Sequence, residues 1–208
     1  MTTETQLLYT ERAVLGVTPE DLHISAALIG IANGIIVSIE KGSRGTLQKK
    51  YRWNDVQDLG ETLLTPAFVN AHTHLSMVGF RGIGGLASKA GNVVEDLYFR
   101  LETHLEEADV RAFSRIGALE ALASGSAFCW DHYYYATAVA SGFQDVGLCG
   151  AIGPTLQDLS GPGVDFQEKA WEDTFVLDED PQYLKSGIVA AIAPHASDTV
   201  SDALWKRV

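Results

Sequence analysis

The most informative segment of this sequence is Leu63-Leu64-Thr65-Pro66-Ala67-Phe68-Val69-Asn70-Ala71-His72-Thr73-His74. An apolar run with a proline near its start is typical of a buried β-strand, because the missing proline N–H costs least at the beginning of a strand. Side chains alternate between faces along a strand, so His72 and His74 should point the same way. Two imidazoles on one face can hold one metal ion, as in catalytic zinc sites that keep a position open for water. The segment therefore predicts a metal site with His72 and His74 as ligands.

The segments on either side indicate two kinds of architecture. Residues 5–62 contain short apolar runs, and Asn33-Gly34 between two of them is a strong hairpin signal. Downstream of His74, apolar strands alternate with amphipathic helical segments, which is typical of parallel βαβ units. The strands are predicted at residues 126–130, 146–154 and 187–193, and two of the helices at residues 94–101 and 106–123. The second helix is expected to turn one apolar stripe towards the core, namely Val110, Phe113, Ile116, Leu119 and Leu122.

Composition limits the class of partner. The net charge of −12 argues against nucleic acid or an anionic membrane surface as a partner. No apolar stretch approaches the roughly 20 residues that span a bilayer, and the first residues lack the features of a signal peptide. Cys129 and Cys149 lie inside apolar runs, as expected of reduced thiols. A cytoplasmic protein without a nucleic-acid or membrane partner is therefore expected.

Residues 66–75 also resemble a known signature. They read Pro66-Ala67-Phe68-Val69-Asn70-Ala71-His72-Thr73-His74-Leu75, which is similar to the Pro-Gly-(Phe/Leu)-Val-Asn-Ala-His-Thr-His-Leu signature of the amidohydrolase superfamily, with Ala67 in place of the usual glycine. The similarity continues through Arg81-Gly82, residues 118–133 and Ala193-Pro194-His195-Ala196. The chain looks most like the branch that contains S-adenosylhomocysteine/methylthioadenosine deaminases and triazine chlorohydrolases and aminohydrolases.

This resemblance implies an α/β fold, namely the N-terminal half of a metal-dependent (β/α)8 TIM barrel preceded by part of a small β-sandwich domain. Residues 1–62 are expected to form the β-sandwich portion, and residues 63–208 the first four βα units. A whole barrel takes about 250 residues and one βα unit takes roughly 35. The 208 − 62 = 146 residues of the second part therefore accommodate about four units, and the remainder of the barrel is expected outside this chain.

Three further residues follow predicted strands at the end of the barrel where loops build active sites. From the residues alone, His195 is either a third metal ligand or a substrate contact, and the resemblance favours substrate contact for the histidine of this Ala-Pro-His-Ala motif. Asp131 and His132 either line the same mouth, as substrate contacts, or bond locally in a loop. The resemblance places the proton-shuttle glutamate and the water-activating aspartate beyond Val208, so no catalytic residue is assigned.

A divalent metal ion held by His72 and His74, zinc in preference to iron, would lower the pKa of its bound water and supply hydroxide. The resemblance therefore predicts a hydrolase of non-peptide C–N bonds, a deaminase of an aminated purine, pterin, pyrimidine or triazine. One alternative is a chlorohydrolase or cyclic amidase of the same superfamily, and another is an inactive or split half-barrel that needs a second polypeptide. The expected partner is a small heterocyclic substrate, and open strand edges predict a homo-oligomer or a missing C-terminal half.

Overall fold

The computed structural model describes residues 5–87 and 91–208. Contacts between its residues divide the chain into two compact units, Met1–Pro66 and Ala67–Val208. This division lies close to the predicted domain boundary after residue 62.

The first unit is built around one five-stranded sheet with the strand order β3-β2-β1-β4 and with β5 also paired to β1. Its elements are β1 (Gln6–Leu15), β2 (His23–Ala32), β3 (Ile35–Lys41), α1 (Arg44–Leu47), β4 (Val56–Asp58) and β5 (Leu63–Leu64). The strands β1, β2 and β3 are antiparallel, whereas β4 and β5 run parallel to β1. The predicted hairpin is confirmed: Asn33 and Gly34 join β2 to β3 with positive φ angles of 53° and 75°, the conformation that favours Asn-Gly.

The second unit has a parallel sheet with the strand order β10-β8-β7-β6 and with β9 also paired to β8. The strands are β6 (Phe68–Thr73), β7 (Ser126–Tyr133), β8 (Cys149–Leu156), β9 (Ile188–Ala190) and β10 (Ala193–Pro194). The helices are α2 (Gly84–Ala87), α3 (Phe99–Glu102), α4 (Glu107–Ala123), α5 (Ala136–Val146), α6 (Gln167–Glu179), α7 (Pro181–Lys185) and α8 (Asp202–Arg207). Among the described residues no helix has the length and apolar character needed to cross a membrane.

The core of the second unit lies between the sheet and its helices. Phe143 of α5 is fully buried together with Ile152 of β8 and Ile188 of β9. Gly150 permits this packing, because a Cβ atom there would lie 2.5 Å from the Cys129 carbonyl oxygen and 2.7 Å from the Phe143 ring. The predicted alternation of parallel strands and helices is confirmed.

The prediction of one buried strand through residues 63–71 is wrong in two respects. The run is interrupted at Thr65-Pro66-Ala67, so that Leu63 and Leu64 pair with β1 in the first unit while β6 begins at Phe68. Phe68 and Val69 are 67% and 66% exposed. These side chains are exposed because β6 is the edge strand of the sheet, where it pairs with β7 alone among the described strands.

The buried face of α4 also differs from the prediction. The spacing of the large apolar residues predicted a core stripe that included Ile116 and Leu119, but both are about half exposed. The helix buries Val110 of that stripe, together with Ser114, Gly117 and Ala118. This face consists of small residues because the turn that follows β6 approaches the helix closely. A Cβ atom at Gly117 would lie 2.5 Å from the carbonyl oxygen of Leu75.

Candidate active site

Four histidines meet at the carboxyl ends of the parallel strands in the second unit. His72 and His74 lie at the end of β6, His132 near the end of β7, and His195 directly after β10. The ring centroids are 5.0 Å apart for His72 and His74, 4.3 Å for His74 and His132, and 5.8 Å for His132 and His195. The structure thus brings together side chains that the sequence placed on three separate segments.

His74 is held in a defined tautomer. Its Nδ1 lies 2.8 Å from the carbonyl oxygen of His132, and since a carbonyl only accepts, Nδ1 carries the proton. Burial lowers the pKa of His74, the charge of His72 lowers it further, and the bond to the carbonyl opposes the shift. His74 is therefore a neutral imidazole with a free lone pair on Nε2, the state in which histidine binds metals.

His132 and His195 are also disposed to stay neutral. Burial lowers the pKa of His132 to about 3, and the neighbouring histidines add to this effect. Its Nδ1 lies 3.0 Å from the Thr155 hydroxyl. The pKa of His195 is lowered chiefly by burial, and its Nδ1 lies 2.9 Å from the Thr199 hydroxyl. Neutral imidazoles both donate and accept hydrogen bonds, which suits them to a polar heterocycle.

A cavity of about 190 Å³ opens beside these histidines. Three of them, His74, His132 and His195, contribute to its wall. The remaining lining is largely apolar and aromatic, from Met77, Val94, Tyr98, Phe99, Tyr133 and Tyr134, with Thr155 and Glu102 as further polar groups. Apolar walls with a few converging polar groups are typical of small-molecule sites.

Glu102 is a cavity residue that the sequence analysis missed. It ends α3 and is buried, and its Oε1 accepts a hydrogen bond of 2.9 Å from the Tyr133 hydroxyl. Burial raises the pKa of Glu102, against the opposing effect of the tyrosine hydroxyls. The local sequence carries no signal for this, because Glu102 is one of several acidic residues between 95 and 109 and only the approach of α3 to the end of β7 buries it.

Asp131 lies in a buried position behind the end of β7. Its side chain is fully buried, and its Oδ2 accepts a hydrogen bond of 2.6 Å from the Leu75 N–H. Burial raises the pKa of Asp131 to about 7. The carboxyl group lines neither the cavity beside Glu102 nor a second one beside His72. Its predicted contact with substrate therefore has no support in this geometry, whereas His132 and His195 line both cavities.

The fit of a metal ion rests on His72 and His74. They share one end of β6 as predicted, and the backbone anchor on Nδ1 of His74 is the outer contact that metal-bound histidines usually have. Within residues 5–87 and 91–208 no group of three or more His, Cys, Asp or Glu side chains is arranged to hold a metal. His72 and His74 therefore stay a predicted ligand pair, with the neutral His74 imidazole as the observation in its favour.

Comparison with known proteins gives the family. Residues 63–208 match the amidohydrolase family, and the chain belongs to that family. It is 30% identical to the 5'-deoxyadenosine deaminase of Methanopyrus kandleri over 200 residues, which cover 94% of this chain and 45% of that protein. The chain thus spans about half the length of the curated relatives it matches.

Two solved structures share the fold. Guanine deaminase from C. acetobutylicum superposes with a TM-score of 0.72 at 15% identity, over 97% of this chain and 48% of that one. Atrazine chlorohydrolase from Arthrobacter aurescens TC1, solved with zinc, gives 0.65 at 14% identity, over 96% and 48%. The predicted fold class, the N-terminal half of a (β/α)8 barrel preceded by part of a small β-sandwich, is confirmed.

Proposed function

We propose that the histidine cluster belongs to the active site of a metal-dependent hydrolase that deaminates an aminated heterocycle. The observation that carries this proposal is the meeting of His72, His74, His132 and His195 beside one cavity with aromatic walls. The 30% identity to a 5'-deoxyadenosine deaminase supports a purine nucleoside in preference to a pterin, pyrimidine or triazine. In this proposal residues 63–208 supply the first four βα units and residues 1–62 part of a β-sandwich domain.

His72 and His74 would hold a divalent metal ion, with zinc preferred over iron because a zinc-bound structure shares this fold. When bound, such an ion acts as a Lewis acid and brings the pKa of its water near 7. The chain's own contribution is to present His74 already neutral and in the tautomer that leaves Nε2 free, so that metal binding does not have to displace a proton.

Substrate would lie against the cavity wall formed by His132, His195 and Glu102. The two neutral imidazoles can donate to or accept from ring nitrogens, and a carboxylate at Glu102 can accept from a hydroxyl or amino group. Tyr98 and Phe99 offer flat surfaces for a heterocycle. The position of His195 in this wall supports substrate contact over metal binding, with its Nδ1 engaged by Thr199.

The test is the release of ammonia by purified protein from adenosine derivatives, guanine and aminated triazines, with chloride release from chlorinated triazines measured in parallel. His195→Ala should retain metal and lose kcat/KM by about tenfold or more, the effect of removing one hydrogen bond to a polar ring. His104→Ala is the matched control, because that histidine is exposed and outside the cavity. Chloride without ammonia would replace deamination by dechlorination, and metal loss in His195→Ala would make that residue a ligand.

We also propose a cytoplasmic location and a homo-oligomeric assembly. The exposed apolar residues Phe68 and Val69 on the terminal strand β6 support the second of these, because such edges favour pairing with another chain. Sedimentation of the purified protein tests the assembly, and a monodisperse monomer would refute it.

A further inference from the structure

We propose that Asp131 is a positioning residue that fixes His74 and the turn after it, rather than a group that touches substrate. This inference rests on the proposed role of His74 as a metal ligand. The bond from the Leu75 N–H to Asp131 Oδ2, at 2.6 Å, is the contact on which it stands.

The need for such a contact follows from the register between β6 and β7. Asn70 pairs with Cys129, but the next pair is Thr73 with Asp131, so β6 advances three residues while β7 advances two. An irregularity of this kind disrupts the regular ladder of backbone hydrogen bonds. Beyond it β6 ends at Thr73, and the Asp131 side chain takes over as acceptor for the Leu75 N–H.

Two successive residues of β7 thereby hold two successive residues of the turn that follows β6. The Asp131 carboxyl accepts from the Leu75 N–H, and the His132 carbonyl accepts from Nδ1 of His74. Leu75 is confined from the other side as well, because its carbonyl oxygen faces Gly117 of α4 so closely that no Cβ atom fits there. The backbone of Leu75, which directly follows His74, is thus held on one side by the Asp131 carboxyl and on the other by α4.

The chemistry of the buried site supports a specific role. Asp131 is fully buried, and its Oδ1 has no hydrogen-bond partner among the described residues. A buried acid with so few partners costs free energy rather than adding stability. Asp173 provides the contrast: it is equally buried but receives hydrogen bonds from the Thr137 hydroxyl and from Lys169. The buried position of Asp131 is therefore better explained by its bond to the Leu75 N–H than by a contribution to the stability of the fold.

The experiment compares Asp131→Ala, Asp131→Asn and Asp173→Asn with wild type in the purified protein. Asp131→Ala removes the acceptor and should weaken zinc affinity, measured by chelator competition, by roughly 10- to 100-fold, the usual effect of losing an outer contact to a metal ligand. The visible spectrum of bound cobalt should change with it. Asp131→Asn keeps an oxygen that can accept from Leu75 and should restore affinity to within about threefold. Asp173→Asn should lower thermal stability and leave zinc affinity unchanged.

A readout independent of metal is the exchange of the Leu75 amide and the ¹⁵N shifts of the His74 ring, followed by NMR. Asp131→Ala should speed the amide exchange and alter the His74 ring shifts, and Asp131→Asn should do neither. Wild-type zinc affinity and wild-type His74 shifts in Asp131→Ala would overturn the inference, as would an equal loss of affinity in Asp173→Asn. Failure of wild type itself to bind zinc would instead refute the proposed function, while the NMR comparison would still decide the role of Asp131.

Discussion

The two faces of the parallel sheet in the second unit differ in what they do. On β7, Cys129, Asp131 and Tyr133 are at most 3% exposed, whereas Trp130 between them is 49% exposed. Cys129 and Tyr133 pack in the hydrophobic cluster that the helices complete. Trp130 and His132 lie on the other face, beside the cavity that His72 also lines. Since burial of apolar area is the main source of stability, we infer that the helix-covered face chiefly stabilises the unit, with Tyr133 also reaching the cavity wall. The open face serves binding.

This contrast is tested most strongly by deleting a large side chain from each face. Phe143→Ala, on the covered side, should lower the free energy of unfolding by about 3–5 kcal/mol, because it leaves a cavity in a fully packed core. Trp130→Ala should cost about 1 kcal/mol or less, since half of that side chain is already in solvent. Urea denaturation of the 208-residue chain gives both values, and equal losses would show that the open face is part of the core.

A smaller effect is expected from adding volume to the covered face. Gly150→Ala should cost about 1–3 kcal/mol, because its Cβ would meet the Cys129 carbonyl and the Phe143 ring within 3 Å. Gly84→Ala is the matched control: no atom of the described residues lies within 4 Å of its Cβ position, and it begins α2. The same denaturation assay should find Gly84→Ala neutral or slightly stabilising. A neutral Gly150→Ala would mean that β7 and β8 do not pack as closely as described.

The smallest expected effect concerns Glu102, which ends α3 and lines the cavity beside the histidines. Its pKa is raised by burial above the ordinary 4.5, so its stabilising contribution is complete below pH 4.5 and is lost as pH rises through the folded-state pKa. A glutamine at position 102 does not ionise, so Glu102→Gln does not lose stability in this way. The free energy of unfolding of Glu102→Gln minus that of wild type should therefore increase as pH rises from 4.5 towards about 8. Denaturation at several pH values measures the difference.

Glu120→Gln is the control for that comparison. Its pKa is lowered, chiefly by the bond to Arg81, so its stabilising contribution is present above pH 4.5 and is lost as pH falls through the folded-state pKa. The stability of Glu120→Gln relative to wild type should thus stay constant above pH 4.5 and rise as pH falls below 4.5, so the denaturation series extends to lower pH for this control. The same sign in both variants would contradict a buried, proton-binding Glu102.

The features that the sequence predicted correctly are those carried by local pattern. The Asn33-Gly34 hairpin follows from the backbone conformation that these two residues favour, and the alternation of strands and helices follows from apolar periodicity. The His-x-His spacing also brings the rings of His72 and His74 together, with centroids 5.0 Å apart at the end of β6, and their role as metal ligands stays a prediction.

The features that the sequence did not predict depend on neighbours distant in the chain. β6 is exposed because of its place in the strand order, which its own apolar residues do not encode. The face of α4 is set by Gly117 and Ser114, since close approach selects small residues where periodicity counts only large ones. Glu102 and Asp131 acquire their environments from α3 and from the turn after β6, and nothing in the adjacent sequence marks either of them.

The central claim is that His72 and His74 hold a divalent metal ion. The most direct measurement is the metal content of the purified protein by mass spectrometry for wild type, His72→Ala, His74→Ala and the exposed control His104→Ala. We expect bound zinc in wild type and in His104→Ala, and severe loss of zinc in His72→Ala and His74→Ala, because each of these two removes one of the few nitrogens available to the ion. Equal, near-stoichiometric metal in all four proteins would contradict it.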